Sequence, residues 1–100
     1  NTWEDLQDMP EGPRVGHCAV TTAGSEIYVV GGDTRSVDVF DTSPSLTWMT
    51  PTYLRHMPEE RRFAAAVLLK KKYLVVIGGY DEAWRSTASC LIYDIWCNRW

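Results

Sequence analysis

Apolar residues along this chain gather in short runs bounded by Gly, Pro, Ser or Lys, and no stretch makes a convincing amphipathic helix. Residues 17–22 are rich in Ala, Val and Thr, and Ala23-Gly24-Ser25 reads as a tight turn after them. Residues 26–30 form an apolar, β-branched run that stops at Gly31-Gly32. In residues 36–41, Val37 and Val39 share one face and Asp38 takes the other, the two-residue period of a half-buried strand. A Pro-containing turn at 42–45 leads to a fourth strand, 46–50, around Trp48. The order then recurs, with strands predicted at 63–69, 73–77 and 90–95. Ala64-Ala65-Ala66 favours helix on composition alone. The short length of 63–69 and its alignment with 17–23 predict a strand instead.

The recurrence is a true repeat. Sliding residues 14–32 onto 61–79, an offset of 47, matches six of nineteen positions: Arg14/Arg61, Ala19/Ala66, Val20/Val67, Val29/Val76, Gly31/Gly78 and Gly32/Gly79. Upstream, Leu6–Pro10 lies over Leu54–Pro58 at an offset of 48 and shares the Met-Pro pair. Downstream, Phe40-Asp41 lies over Tyr93-Asp94 at 53, and Trp48 over Trp100 at 52. The offset drifts only between motifs, as it does when loops change length and strands do not. Four short antiparallel strands per period in the forties are the pattern of a β-propeller blade.

At these residues the chain resembles the kelch repeat: an apolar strand ending in a double glycine, then Tyr-Asp, then Trp six residues after the Asp. The second copy meets the pattern with Leu74-Val75-Val76-Ile77-Gly78-Gly79, Tyr93-Asp94, Asn98 and Trp100, and the first with Ile27–Gly32, Phe40-Asp41 and Trp48. Pro13-Arg14 followed by His17 is similar to the start of such repeats. The first copy departs in having Phe40 for Tyr, one extra residue before Trp48 and a shorter segment after Gly32; the second has Ala64 for His17 and Glu60 for Pro13. The resemblance implies an all-β fold: two four-stranded antiparallel kelch blades, a partial propeller. Residues 1–12 would be the last strand of a preceding blade, 13–52 the first repeat, and 53–100 the second, lacking most of its last strand. The glycine pairs are expected at φ > 0 or against a close neighbour. The Trp and Phe/Tyr rings are expected to fill the space between blades. Arg14 and Arg61 are expected to pair with Asp41, Asp94 or backbone carbonyls.

Composition narrows the function classes. Ten basic residues stand against thirteen acidic ones, a net charge of −3 that offers a nucleic acid no general foothold. Lys70-Lys71-Lys72 is the only basic run and reads as a solvated turn. It also splits the longest apolar stretches, which fall far short of the roughly 20 residues of a membrane-spanning helix. The acidic, mixed start lacks a signal-peptide pattern, and the absence of an initiator Met points to a fragment or processed piece. Cys18, Cys90 and Cys97 form no C-x-x-C, so a reducing, cytoplasmic setting is expected. His17 and His56 read as structural, Cys18 has no base on its face, and no G-x-S-x-G or H-E-x-x-H motif occurs. No metal, cofactor or catalytic residue is therefore expected.

One cluster is left over. The connections 33–36 and 80–89, together with 12–13 and 59–62, are expected at one end of the blades. There Trp84, Tyr80 and Arg85 join Arg35 and Arg62, residue types enriched in binding hot spots. They are the candidate partner-binding residues, and guanidinium groups among aromatic anchors suit an acidic or mixed peptide. The resemblance implies a non-catalytic protein–protein interaction module, such as the substrate-recognition part of a ubiquitin-ligase adaptor or a cytoskeletal (actin) binder. The competing reading is a fragment of a kelch-type enzyme, a galactose oxidase-like oxidase or a sugar epimerase; galactose oxidase draws its copper ligands from blades with no counterpart here. Two repeats alone leave blade flanks uncovered. The rest of a propeller, or other copies with 3–9 completing a neighbour's second blade and three copies giving six blades, is expected to cover them.

Overall fold

Short β-branched runs separated by tight turns leave the chain no option but hairpins, and hairpins are what form. The computed structural model describes residues 2–10, 12–21, 24–42, 46–49 and 55–100. It contains seven strands among these residues: β1 Cys18–Thr21, β2 Glu26–Val30, β3 Val37–Asp41, β4 Thr47–Met49, β5 Ala65–Leu69, β6 Tyr73–Ile77 and β7 Cys90–Asp94. They make two antiparallel sheets, one of four strands in the order β1-β2-β3-β4 and one of three in the order β5-β6-β7. The expected all-β, blade-like architecture is present. In the second sheet an isolated bridge between Asp94 and Arg99 stands where a fourth strand would begin.

The differences from the predicted elements are local. Phe63 is not in β5; its φ of 55° turns the chain before Ala65. Residues 1–12 are expected to supply the last strand of a preceding blade; of these, the described residues 2–9 run without ladder pairing to either sheet. The expected strand ends at Thr22 and Thr50 lie outside the described residues, as does the turn at 43–45.

The two sheets pack face to face. Tyr28, Val30, Val37 and Val39 of the first meet Leu74, Val76 and Tyr93 of the second, with Met57 between them. Burying side chains of this size contributes roughly 1.5–3 kcal/mol each, so this seam carries most of the stability. On the back of the first sheet, Leu6 and Met9 line an apolar hollow with Ile27, Val29, Phe40 and Trp48. The outer face of the second sheet carries exposed Val67, Leu69, Ile77 and Ile92.

The repeat residues take equivalent places. Gly32 and Gly79 have φ of 96° and 91°, and a β-carbon on either would lie 2.6 Å from a backbone oxygen, that of Val15 and of Arg62 respectively. The Trp48 indole N–H donates to the carbonyl of Gln7 and that of Trp100 to the carbonyl of Arg55, both at 2.9 Å. These are the partners aligned in the sequence at offsets of 48 and 52. The arginines settle differently from one of the expected pairings. Arg14 pairs with Asp38 and donates to the carbonyl of Val29. Buried Arg61 donates to the carbonyls of Gly78 and Ser89 at 3.0 and 2.9 Å and pairs with Glu59 at 2.8 Å. Asp41 and Asp94 serve turns instead: Asp41 accepts from the Ser25 hydroxyl at 3.2 Å, and Asp94 from the Cys97 amide at 3.0 Å.

Candidate functional site

The diglycine ends of the strands bring the predicted loops together. The Gly32 amide donates to the Arg61 carbonyl at 2.9 Å, and the Met57 amide to the Arg35 carbonyl at 2.8 Å. Arg62 and Tyr80 exchange backbone hydrogen bonds of 2.9 and 2.8 Å, an isolated bridge that ties the segment before β5 to the loop after Gly79.

Asp81 organises that loop. One carboxylate oxygen accepts the amides of Ala83 and Arg85, at 2.9 and 3.0 Å, and the other faces the Arg85 guanidinium at 3.3 Å. The Asp81 carbonyl accepts the Trp84 amide, and the Asp81 amide donates to the Arg85 carbonyl. The Arg85 amide, then the Ala83 amide and the Arg85 charge, hold the Asp81 carboxyl below its ordinary value. This closure carries Trp84 in a left-handed conformation, φ 60°, which is costly for a residue with a β-carbon.

Trp84 does not fold onto the neighbouring sheet. It lies over its own: the Arg62 guanidinium is 4.6 Å from its ring centroid, Tyr80 is 6.0 Å away and Phe63 6.2 Å. The residue remains 54% exposed. Arg62 is also paired with Glu60 at 3.2 Å, and its Nε is buried with no hydrogen-bond partner among the described residues. The stack thus presents three aromatic rings on a fixed cation. The sequence pattern places Phe63 in a strand, so it does not mark this residue as a member of the stack.

The remaining two candidates, Arg35 and Arg85, line an adjoining cleft of about 390 Å³ with Glu59, Glu60, Asp81 and Glu82. Arg85 is tied to Asp81, Glu59 to Arg61 and Glu60 to Arg62. Among the described residues Arg35 and Glu82 have no ion pair, so the cleft is of mixed charge, more acidic than the three arginines of the candidate set implied.

Elsewhere, the Cys18 thiol lies 3.7 Å from the Val30 carbonyl, and burial pushes its pKa up. All three cysteines are free thiols. Among the described residues no three His, Cys, Asp or Glu side chains are grouped to hold a metal ion, and no helix is long and apolar enough to cross a membrane.

Residues 61–100 match the family model of the Kelch motif, and a search of curated proteins gave no match. The matched stretch spans β5, β6 and β7 together with the Tyr80–Trp84 loop, so residues 61–100 form a kelch motif, and the first sheet repeats its strand order, diglycine and Trp.

Proposed function

We propose that the chain is a non-catalytic protein-interaction module whose recognition surface is the Trp84 stack and the cleft beside it. Kelch repeats commonly serve as interaction modules. The single observation that carries the reading is Trp84: a loop closed by Asp81 holds this residue more than half exposed, with its ring against Arg62, Tyr80 and Phe63. A rigid aromatic anchor of this kind gives contact area at low entropic cost, which is how hot spots are built. The ligand is a peptide segment of a partner protein, with an apolar or aromatic residue on the Trp84 stack and a carboxylate toward Arg35. Within this class we favour the substrate-recognition part of a ubiquitin-ligase adaptor or a cytoskeletal (actin) binder, working in the reducing cytoplasm, a setting that the three free thiols support.

The test is a selection of displayed random peptides on the wild-type chain, followed by affinity and thermal midpoint on the same Trp84→Ala sample. Trp84→Ala should weaken the selected peptides by about 30-fold or more, the equivalent of about 2 kcal/mol. Its thermal midpoint should stay within about 2 °C of wild type. Unchanged affinity would end the proposal. A collapsed midpoint with unchanged affinity per folded molecule would make Trp84 a structural residue.

A further inference from the structure

The turn joining β5 and β6 is built from residues poorly suited to it. Lys70 and Lys71 both have positive φ, 54° and 56°, as the central residues of a β-turn closed by the Lys72 amide on the Leu69 carbonyl at 3.0 Å, within a three-residue connection from Leu69 to its ladder partner Tyr73. Such turns favour Asn-Gly or Gly-Gly, because a β-carbon in the left-handed region is strained. The first repeat has Gly24 at the position aligned with Lys71. Lysines occupy both positions against the local preference, and neither has an ion-pair partner among the described residues.

A second feature adjoins the turn. The Ile95 amide donates to the Lys72 carbonyl at 2.9 Å, which sets the 95–98 turn against the lysine hairpin. Lys72 pairs with Asp94 at 3.5 Å, and its ammonium lies 4.8 Å from the Tyr73 ring and 5.3 Å from that of Trp96. Trp96 is 73% exposed and lies outside the core between the sheets. Beside it a cleft of about 380 Å³ opens between the two sheets, with Tyr28, Leu68 and Ile95 as its apolar lining and Glu26, Lys71 and Trp96 as its polar and aromatic members.

Charge here runs against that of the chain. Lys70, Lys71 and Lys72 are joined by Arg99, and by Arg55, which donates to the Asn98 carbonyl at 3.0 Å. The facing acids are Glu26, Asp94 and, through Ser25, Asp41. The surface is locally positive on a chain whose net charge is −3. It sits at the far ends of β5 and β6 from Trp84, five residues or roughly 16 Å along the strand.

We propose that the Lys70–Lys71 hairpin, Trp96 and the cleft between them form a second docking surface, which takes an acidic segment of a partner protein and seats one of its apolar side chains in the cleft. The carboxylates lie along the two unpaired lysines, and Trp96, held by the Lys72 cation, covers the apolar residue. Lysine and tryptophan also suit an anionic membrane, but the apolar lining is recessed between two hairpins, where a chain segment reaches and a flat lipid surface does not.

The probes are short Glu-rich peptides with one central Leu, their Gln and Ser counterparts, and vesicles of phosphatidylcholine with and without phosphatidylserine. The Glu-Leu peptide should bind in a salt-dependent way, and replacing either Glu by Gln or Leu by Ser should weaken it. Lys70→Asn with Lys71→Gly suits the hairpin better and should hold or raise the thermal midpoint while weakening the peptide at least about tenfold. Trp96→Ala should weaken it similarly, and Trp84→Ala should leave it unchanged. Full binding by the Asn-Gly variant, or loss of binding in Trp84→Ala alone, would overturn the proposal. So would binding to phosphatidylserine vesicles, lost in the Asn-Gly variant, without binding to any peptide.

Discussion

A β-carbon at Gly79 would stand 2.6 Å from the Arg62 carbonyl oxygen and 3.0 Å from the Ala64 methyl, at a φ of 91°. At Gly78 the nearest atom, the Thr87 carbonyl oxygen, is 3.3 Å away, and φ is 65°. The two glycines of one motif are therefore unequal. Gly79→Val combines a left-handed backbone with a clash against main chain and should cost about 3 kcal/mol or more. Gly78→Val meets the same backbone restriction with more room and should cost less. Thermal unfolding of both variants checks the ranking, since 1 kcal/mol moves the midpoint by about 4–8 °C in a domain of this size. Equal losses would mean that φ alone, and not the approach of Arg62, selects these glycines. The buried Arg61 acts at the same scale: its guanidinium makes five hydrogen bonds, to the Gly78 and Ser89 carbonyls, the Ser89 hydroxyl and twice to Glu59, where a lysine has only three donors.

The loop from Tyr80 to Ser86 holds its shape through one carboxylate. Because Asp81 accepts the amides of Arg85 and Ala83, its pKa in the folded loop lies below the ordinary value of 3.8. A carboxyl with a lowered folded pKa contributes stability that is complete above its unfolded value. That contribution fades as the pH falls through the lower folded value. The expected outcome is a Trp84 indole NMR signal that is constant from neutral pH down to about pH 4 and shifts below it as the loop opens. Asp81→Asn keeps an oxygen acceptor for both amides and removes the titration, so its Trp84 signal should be flat across the same range. A wild-type signal as flat as that of the variant would show that the carboxylate does not hold the loop. The lysine hairpin is the opposite case, a turn whose strain no side-chain acceptor among the described residues relieves.

Over the whole molecule, two sheets share one apolar seam and leave a second apolar face bare. The residues exposed on the outer face of the second sheet are the repeat equivalents of those the first sheet buries: Val67 for Val20, Ile77 for Val30 and Ile92 for Val39. A continuous apolar patch of this kind is uncommon on a monomeric protein. The 100-residue chain on its own is expected to self-associate through it, with a sedimentation mass above 11.4 kDa that depends on concentration. Ile77→Lys with Ile92→Lys should return it to monomer with little loss of fold, since neither side chain enters the seam. A wild-type chain that stays monomeric at high concentration would show that the face tolerates water.

What the sequence determined by itself was periodic and local. The two-residue alternation around Val37 and Val39, the paired glycines and the recurring Trp specified hairpins, their order and the blade pattern, because side-chain period and backbone restriction act over a few residues. It also marked Tyr80, Trp84, Arg85, Arg35 and Arg62 as one region, since strand order alone brings those loops to one end. Only the tertiary structure decided how they divide. Arg62 lies beneath Trp84, Arg85 is tied to Asp81, and Phe63 joins the stack through a positive φ that no periodicity reports. The same holds for Arg14 and Arg61, which chose Asp38 and Glu59 over the aspartates aligned in the repeat. Ion pairs and ring stacks depend on distances between side chains from separate elements, and those distances exist only once the sheets have packed.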